Sequence, residues 1–185
     1  MLRSFFIALT LTVFTTPLIT AQAQIDRFFM VSPGIYRGSQ PQSSEDYDFL
    51  QANGIKSILN LRTSSKTINQ EKQIAIERRL GFESTPMSAV FYPSNKTIQK
   101  AFNFLTSQSN QPVFVHCRLG KDRTGLIIGL YRMHFESWSP RDAYSEMKTF
   151  GYNPFYLGLT MYFWNHTDRL YLMPTLMLDS VTFDE

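Results

Sequence analysis

The sequence predicts an α/β domain in which a mostly parallel central sheet is flanked by helices. Segments with the composition of strands alternate with segments of helical spacing in the order βαβαβα, and more helices follow. This order is typical of parallel sheets. The chain has 185 residues, of which 43% are hydrophobic, and this is enough for one compact domain with a core.

The first half of the domain contains two predicted helices and two predicted strands. Ser43 is a candidate N-cap for a helix that ends at Asn53-Gly54. Residues 55–61 have the composition of a strand, and residues 68–81 form a second helix closed by a glycine. Residues 82–86 then give another short strand, so the helix between the two strands has the position of a crossover.

The second half of the domain contains the predicted central strand and most of the helices. Residues 96–108 show apolar side chains at helical spacing, and residues 112–117 have the apolar, β-branched character of a buried strand. An apolar helix follows over residues 124–138. Ser139-Pro140 then starts a helix that stops at a glycine, and a last aromatic-rich helix is predicted over residues 155–169.

The N-terminal residues differ from the rest of the chain. A basic residue, Arg3, precedes an apolar stretch that ends in the small residues Ala21-Gln22-Ala23, which is the layout of a secretory signal peptide. We therefore expect a leader over residues 1–23, a single domain over residues 24–185, and a periplasmic or secreted protein. A retained membrane anchor is the alternative, although threonines and a proline interrupt the apolar stretch. No other apolar run is long enough to span a bilayer.

The net charge of +3 fits a small anionic substrate better than a nucleic-acid duplex, which usually requires a dense basic face. No basic block, low-complexity tract or internal repeat is visible in the sequence. Histidines with no acidic neighbours predict no metal site, and the sequence calls for no cofactor.

The single cysteine, Cys117, lies directly after the predicted central strand. Arg118, Leu119, Gly120, Lys121 and Asp122 then form a short turn, whose backbone N–H groups are expected to converge on an anion. Gly120 permits a positive φ in this turn, and Gly125 is expected to allow close packing of the next helix.

Arg123 follows the turn, and its planar guanidinium suits two phosphate oxygens at once. This positive environment is expected to lower the pKa of the Cys117 thiol and to make the thiolate a nucleophile. Thr124 is placed to donate a hydrogen bond to the sulfur when it leaves. The sequence therefore predicts nucleophilic chemistry on a phosphate ester.

The segment HCRLGKDRTG, residues 116–125, resembles the signature loop of the cysteine-dependent protein tyrosine phosphatases. It is most similar to the dual-specificity branch and its bacterial relatives, including enzymes that act on phosphoinositides. The upstream segments IYRGSQP and GIKSILNLR also resemble the opening of bacterial members of this branch. The resemblance implies a dual-specificity phosphatase-like fold, a cysteinyl-phosphate intermediate and no metal. It also implies that His116 braces the loop and tunes Cys117.

One expected residue is missing. Members of the family usually have an aspartate about thirty residues before the cysteine, which protonates the leaving oxygen, but the sequence has no Asp between Asp48 and Asp122. Asp122 is the preferred candidate, since some relatives with the same KDR sequence are thought to use it. Glu83 is the second candidate, and the absence of any enzymatic acid is the third.

Extra positive charge beside the turn, from Arg118 and Lys121, favours polyanionic substrates. The expected partners are a phosphorylated protein, an inositol phosphate or a phospholipid headgroup. Arg62 ends a strand at the same edge as Cys117, where it either lines the pocket or is solvated. A catalytically weak phosphate-binding module and, more remotely, a rhodanese-type sulfurtransferase are the alternatives to a phosphatase.

Overall fold

A computed structural model describes residues 25–167 of the chain, so the predicted leader lies outside the described residues. Five strands and six helices occur in this range. In chain order they are β1 (Phe29–Ser32), β2 (Ile35–Gly38), α1 (Ser44–Ala52), β3 (Ser57–Asn60), α2 (Ser65–Glu77), β4 (Gly81–Ser84), α3 (Asn95–Thr106), β5 (Val113–His116), α4 (Asp122–Glu136), α5 (Pro140–Thr149) and α6 (Leu157–Asn165).

The strands form one sheet in the order β1-β2-β5-β3-β4. The four strands β2, β5, β3 and β4 run parallel to one another. The edge strand β1 runs antiparallel to its neighbour, β2. The predicted α/β fold with a mostly parallel sheet is therefore confirmed. β5 is central and buried along its length, as its composition indicates. The prediction from the sequence did not include the strands β1 and β2.

The two faces of the sheet are covered by different helices. Ile58 and Phe114 belong to a core cluster with side chains of α1 and α2, whereas Leu59 and Val115 belong to a larger cluster with α3, α4, α5 and α6. Successive side chains of β3 and β5 therefore point to opposite faces of the sheet, and the core is divided into two layers, one on each face. Among residues 25–167, no helix has the length and apolar character needed to cross a membrane.

Most predicted helices occur, with corrected ends. Ser43 caps α1 through a capping box with Asp46, as the sequence indicates. α2 ends at Glu77 rather than at the predicted glycine, and Gly81 instead begins β4. α6 is shorter than predicted, because it covers only Leu157–Asn165; the last two residues of the predicted helix lie beyond residue 167.

The packing of α4 corrects one expectation about its glycines. A Cβ at Gly125 would come no closer than 3.4 Å to its nearest neighbour, Tyr152, which is an ordinary contact. A Cβ at Gly129 would lie 2.6 Å from the sulfur of Met147. Gly129, one turn further along the helix, is therefore the residue that lets α4 approach α5 closely.

Candidate active site

Cys117 lies at the carboxyl edge of the sheet, directly after β5. The ends of β2 and β3 lie level with the end of β5, since Gly38 and Asn60 are both paired with His116. The chain then turns through four residues before α4 begins at Asp122. The Cys117 side chain is 2% exposed, so the thiol is recessed at the base of this turn. This edge is where parallel sheets place their ligands.

Three carbonyl groups of the turn face the segment of residues 27–40. The carbonyl of Arg118 accepts from the amide of Gln40 at 3.3 Å, and that of Leu119 accepts from Arg27 Nη1 at 3.2 Å. The carbonyl of Gly120 accepts from Arg37 Nη2 at 2.9 Å. Because the C=O and N–H of a trans peptide point in opposite directions, the three amides that follow these carbonyls face away from this segment. Their role in binding an anion stays a prediction.

Gly120 has the positive φ expected of it, at 68°. A Cβ at this position would lie 2.4 Å from the carbonyl carbon and oxygen of Gly38. The turn therefore contacts the end of β2 so closely that no side chain fits between them. This contact fixes the height of the turn above the sheet.

The surroundings of Cys117 favour its thiolate. Burial alone raises the pKa of the thiol. The hydroxyl and backbone amide of Thr124, the charge of Arg123 and the amide of Leu119 together outweigh burial, and the pKa of Cys117 falls below its ordinary value. The residues that stabilise the thiolate are therefore those that the sequence places around it. A lowered pKa favours the thiolate, which is the nucleophilic form of cysteine.

Arg123 lies in the first turn of α4 and is oriented by backbone carbonyls. Its Nη1 donates weakly to the carbonyls of Leu61 and Met87, at 3.5 and 3.4 Å. Leu61 follows β3, and Met87 follows β4. The guanidinium of Arg123 therefore lies between the ends of these two strands and the turn. The charge of Arg123 is one of the causes that lower the pKa of Cys117.

A buried ion pair supports the turn from below the sheet edge. His116 Nε2 lies 3.1 Å from Glu71 Oε1, and both side chains are almost fully buried. Burial lowers the pKa of His116, but the Glu71 carboxylate outweighs burial and raises that pKa above its ordinary value. His116 Nδ1 lies 3.0 Å from the carbonyl of Cys117. The bracing contact predicted for His116 is thus visible in the geometry.

Glu71 was not among the predicted site residues. Its carboxylate also accepts hydrogen bonds from the Tyr47 hydroxyl, at 3.2 Å, and from the Asn60 side chain. Burial raises the pKa of Glu71, but His116 and these donors outweigh burial and lower the pKa. Glu71 lies in α2, so this network links the helix layer on one face of the sheet to the cysteine turn.

Arg37 is the second residue that the sequence reading missed. It is fully buried in β2, its Cζ lies 3.9 Å from the centre of the Phe150 ring, and it donates to Gly120 as described above. Burial lowers the pKa of Arg37 to about 10, against the opposing attraction of Glu146 and Cys117. Arg37 therefore remains charged at neutral pH and lies behind the turn. Its position in the segment IYRGSQP was the available signal.

Arg62 lines a cavity beside the turn. The cavity has a volume of about 470 Å³, and Arg118 and Leu119 line it with Arg62. Arg62 donates to the Gln40 side chain. Burial and then the neighbouring charges of Arg123 and Arg118 lower the pKa of Arg62. Two of the predicted cationic residues, Arg62 and Arg118, therefore line one opening, which Asp26 also lines.

The two acid candidates occupy different places. Asp122 is the first residue of α4, beside the turn, and its Oδ1 accepts from the amide of Asn153 at 2.9 Å. Glu83 lies in the edge strand β4, where its Oε1 is 2.8 Å from Lys100 Nζ and also accepts from the amide of Ser84. The Glu83 carboxylate is therefore already paired. Asp122 is closer than Glu83 to Cys117 along the chain. Its role as the acid that protonates the leaving oxygen stays a prediction.

Lys121 is held at the other side of the turn. Gly151, just after α5, lies so close that a Cβ there would be 3.3 Å from the Lys121 side chain.

Among residues 25–167, no group of three or more His, Cys, Asp or Glu side chains is arranged to hold a metal ion.

A recessed thiolate in an amide-lined turn, with an arginine one residue into the following helix, defines the class of cysteine-dependent phosphatases. The model of the tyrosine phosphatase family matches residues 23–155, and the chain belongs to this family. The resemblance seen in the signature loop is therefore confirmed.

Several curated proteins are similar to the chain. The inositol diphosphatase DSP4 of Arabidopsis thaliana is 32% identical over 127 residues, which are 66% of this chain and 63% of DSP4. The human phosphatidylglycerophosphatase and protein-tyrosine phosphatase 1 is 26% identical over 130 residues, 68% of this chain and 65% of that protein. The chain thus spans just under two thirds of the length of these two relatives.

Solved structures share the fold. Pseudomonas aeruginosa TpbA superposes with a TM-score of 0.67 at 21% identity, covering 82% of this chain and 98% of TpbA. The catalytic domain of the PP-IP phosphatase SIW14 of Saccharomyces cerevisiae gives a TM-score of 0.66 at 24% identity, covering 77% of this chain and 88% of that domain. Both likenesses support the dual-specificity phosphatase-like fold.

Proposed function

We infer that the chain is an exported phosphomonoester hydrolase that works through a cysteinyl-phosphate intermediate. The observation that supports this most strongly is the position of Cys117, whose pKa is lowered by Thr124, Arg123 and Leu119 against the effect of burial. The backbone amides of Leu119, Gly120 and Lys121 supply a site for three phosphate oxygens. Membership of the tyrosine phosphatase family supports the same reaction.

The reaction has two steps. The Cys117 thiolate attacks phosphorus in line, the S–P bond forms, and the P–O bond to the leaving group breaks. The leaving oxygen takes a proton, for which Asp122 is the proposed donor because it lies beside the turn. Water then attacks phosphorus and gives a proton to the Asp122 carboxylate, the S–P bond breaks, and inorganic phosphate leaves as the thiolate is restored. The turn and Arg123 hold the equatorial oxygens in both steps, so charge stabilisation supplies much of the acceleration.

The proposed place of action lies outside the cytoplasm. Residues 1–23 have the layout of a signal peptide, so we assign the enzyme to the periplasm or the extracellular medium. Expression in a bacterial host, followed by fractionation and mass determination of the protein, tests this assignment. A full-length chain retained in the cytoplasmic fraction contradicts it.

The substrate is proposed to be polyanionic. After burial, the charges of Arg123 and Arg118 are the causes that lower the pKa of Arg62, and a substrate with a second phosphate group would offset that repulsion. Relatives named inositol diphosphatase are consistent with this choice. A phosphoprotein is the second candidate, favoured by the human relative, which is also named a protein-tyrosine phosphatase. Phosphate release from inositol polyphosphates, phosphoinositides and phosphotyrosine peptides separates these candidates.

Trapping the intermediate tests the mechanism. Rapid acid quenching during turnover of an aryl phosphate, followed by intact-mass measurement, is expected to show one added phosphoryl group in the wild type and none in Cys117→Ser. Iodoacetate is expected to label Cys117 at neutral pH faster than it labels free cysteine, because the thiolate is populated. Full turnover by Cys117→Ser would refute the mechanism.

A further inference from the structure

Seven large apolar side chains form an exposed surface on two segments of the chain, and we call it the apolar rim. Its most exposed members are Phe155 at 85%, Phe91 at 74% and Leu157 at 64%. The full set is Val90, Phe91, Tyr92, Phe155, Leu157, Met161 and Trp164. Single exposed apolar residues are ordinary on protein surfaces, but a contiguous group marks an interaction site.

The two segments of the apolar rim are in direct contact. A Cβ at Gly158, near the start of α6, would lie 2.4 Å from the backbone of Val90 and Phe91. The Tyr92 ring lies 5.0 Å from the ring of Tyr162 in α6. Leu157, Met161 and Trp164 are four and three residues apart and so share one face of α6. The loop and the helix therefore present one continuous surface.

The apolar rim borders the opening of the active site. Arg123 donates to the carbonyl of Met87, three residues before Val90. On the other side, Asp122 accepts from the amide of Asn153, two residues before Phe155. Both segments of the rim are therefore tied to the first residues of α4. A surface that binds the rim would lie beside the cysteine turn.

The two stretches of chain that carry the apolar rim contain no acidic residue. No Asp or Glu occurs from residue 84 to residue 121, or from residue 147 to residue 167. The same stretches contain Lys96, Arg118, Lys121 and Lys148, and also Lys100, which is paired with Glu83. Asp122 lies beside them and accepts from the amide of Asn153. Exposed aromatic and aliphatic side chains next to an excess of basic ones are the composition of surfaces that bind anionic bilayers.

We propose that the apolar rim docks the protein on an anionic lipid bilayer, with the active-site opening at the membrane surface. The side chains of Phe91 and Phe155 stand clear of the protein, so they can enter the acyl boundary of a bilayer, whereas a partner helix would require a groove. Tyr92 and Trp164 suit the headgroup region, where aromatic side chains are enriched. The proposal concerns binding and does not depend on the phosphatase reaction.

Vesicle sedimentation tests the proposal. The full chain, carrying Cys117→Ser to prevent turnover, is mixed with vesicles of phosphatidylcholine alone or with added phosphatidylglycerol. We expect binding to the anionic vesicles that weakens as salt is raised. The triple variant Phe91→Ser, Phe155→Ser, Leu157→Ser is expected to bind at least about tenfold more weakly, because binding scales with the apolar area inserted.

A matched control separates docking from general surface hydrophobicity. Ile76 in α2 is also well exposed, at 59%, and belongs to the layer on the opposite face of the sheet. Ile76→Ser is expected to bind vesicles like the wild type. Every variant is prepared both as residues 1–185 and as residues 24–185, so the contribution of the apolar N-terminal segment is measured separately, and the rim is judged on residues 24–185. Turnover of a soluble aryl phosphate by the triple variant with Cys117 restored is expected to be unchanged, which shows that it folds.

Three results would overturn the proposal. The first is wild-type binding to anionic vesicles that the triple variant retains. The second is a wild-type dimer in light scattering that the triple variant abolishes while neither protein binds vesicles, because the rim would then join two copies of the chain. The third is loss of vesicle binding on removal of residues 168–185 alone, because those residues would then be the membrane-binding element.

Discussion

Replacing Gly120 with alanine is expected to damage both catalysis and folding. Gly120 has a φ of 68°, and an alanine there meets two separate penalties. The left-handed conformation costs a non-glycine residue about 1–2 kcal/mol. In addition, the new Cβ would lie 2.4 Å from the carbonyl group of Gly38 and 2.7 Å from the amide of Ser39. Both neighbours are backbone atoms, which cannot rotate away as a side chain can.

The size of the expected effect follows from these distances. Non-bonded carbon atoms are comfortable at roughly 3.5–4.0 Å, so the turn must move about 1 Å away from β2 to relieve the contact. That movement breaks the hydrogen bond from Arg37 to the Gly120 carbonyl and displaces the phosphate-binding amides. A displacement of about 1 Å in reacting groups costs about 100-fold in rate. We expect kcat on an aryl phosphate to fall by about this factor.

Gly54 provides the matched control. Its φ is 77°, and a Cβ there would meet no atom within 4 Å, so Gly54→Ala has the conformational penalty without the clash. Gly120→Ala is expected to lose more stability in urea unfolding than Gly54→Ala, because only Gly120→Ala has the clash with the backbone, and only Gly120→Ala is expected to lose kcat and to show a raised pKa for iodoacetate labelling of Cys117. Equal kcat in the two variants would refute the role given to the contact between the turn and β2.

Three further predictions concern the supporting residues. Arg37→Met is expected to lower kcat about tenfold with little change in KM, because the Gly120 carbonyl loses a buried charged donor; unchanged kcat in steady-state kinetics would refute this. Glu71 has a lowered pKa and His116 a raised one, so their pair stabilises the fold most between the ordinary values of 4.5 and 6.5. Its contribution is lost as pH falls through the folded-state pKa of Glu71 or rises through that of His116. The difference in Tm between wild type and Glu71→Gln is therefore expected to be largest in that window, and a difference independent of pH would contradict the pairing. Asp122→Asn is expected to slow turnover of alkyl phosphates more than that of nitrophenyl phosphate, and Glu83→Gln is expected to slow neither; the reverse pattern would assign the acid to Glu83.

The parallel core of the sheet could be predicted from the sequence, but its antiparallel edge could not. β5 is visible because three of its four residues, Val113, Phe114 and Val115, are apolar, and only His116 at its end is polar. β2 has an arginine and a glycine among its four residues, which lowers its strand propensity. Pairing with β5 determines its conformation instead, and such a long-range effect has no signature in a four-residue segment.

The reactive part of the site could likewise be predicted, while its supports could not. Cys117, Gly120 and Arg123 lie within one short segment of the chain, so their spacing alone brings them together. Arg37 and Glu71 reach the turn only through the fold, and arginine and glutamate are normally surface residues. Their burial depends on partners distant in sequence, namely the Gly120 carbonyl and the His116 ring.

The solitary state of Cys117 has a consequence for the lifetime of the enzyme. Peroxide converts a thiolate to a sulfenic acid, which many proteins rescue by forming a disulfide with a second cysteine. The chain has one cysteine, so that internal rescue does not exist. Recovery must come from condensation with a neighbouring backbone nitrogen or from a small thiol that diffuses into the opening. In an oxidising compartment, the supply of small thiols around the protein would therefore determine how long each molecule stays active.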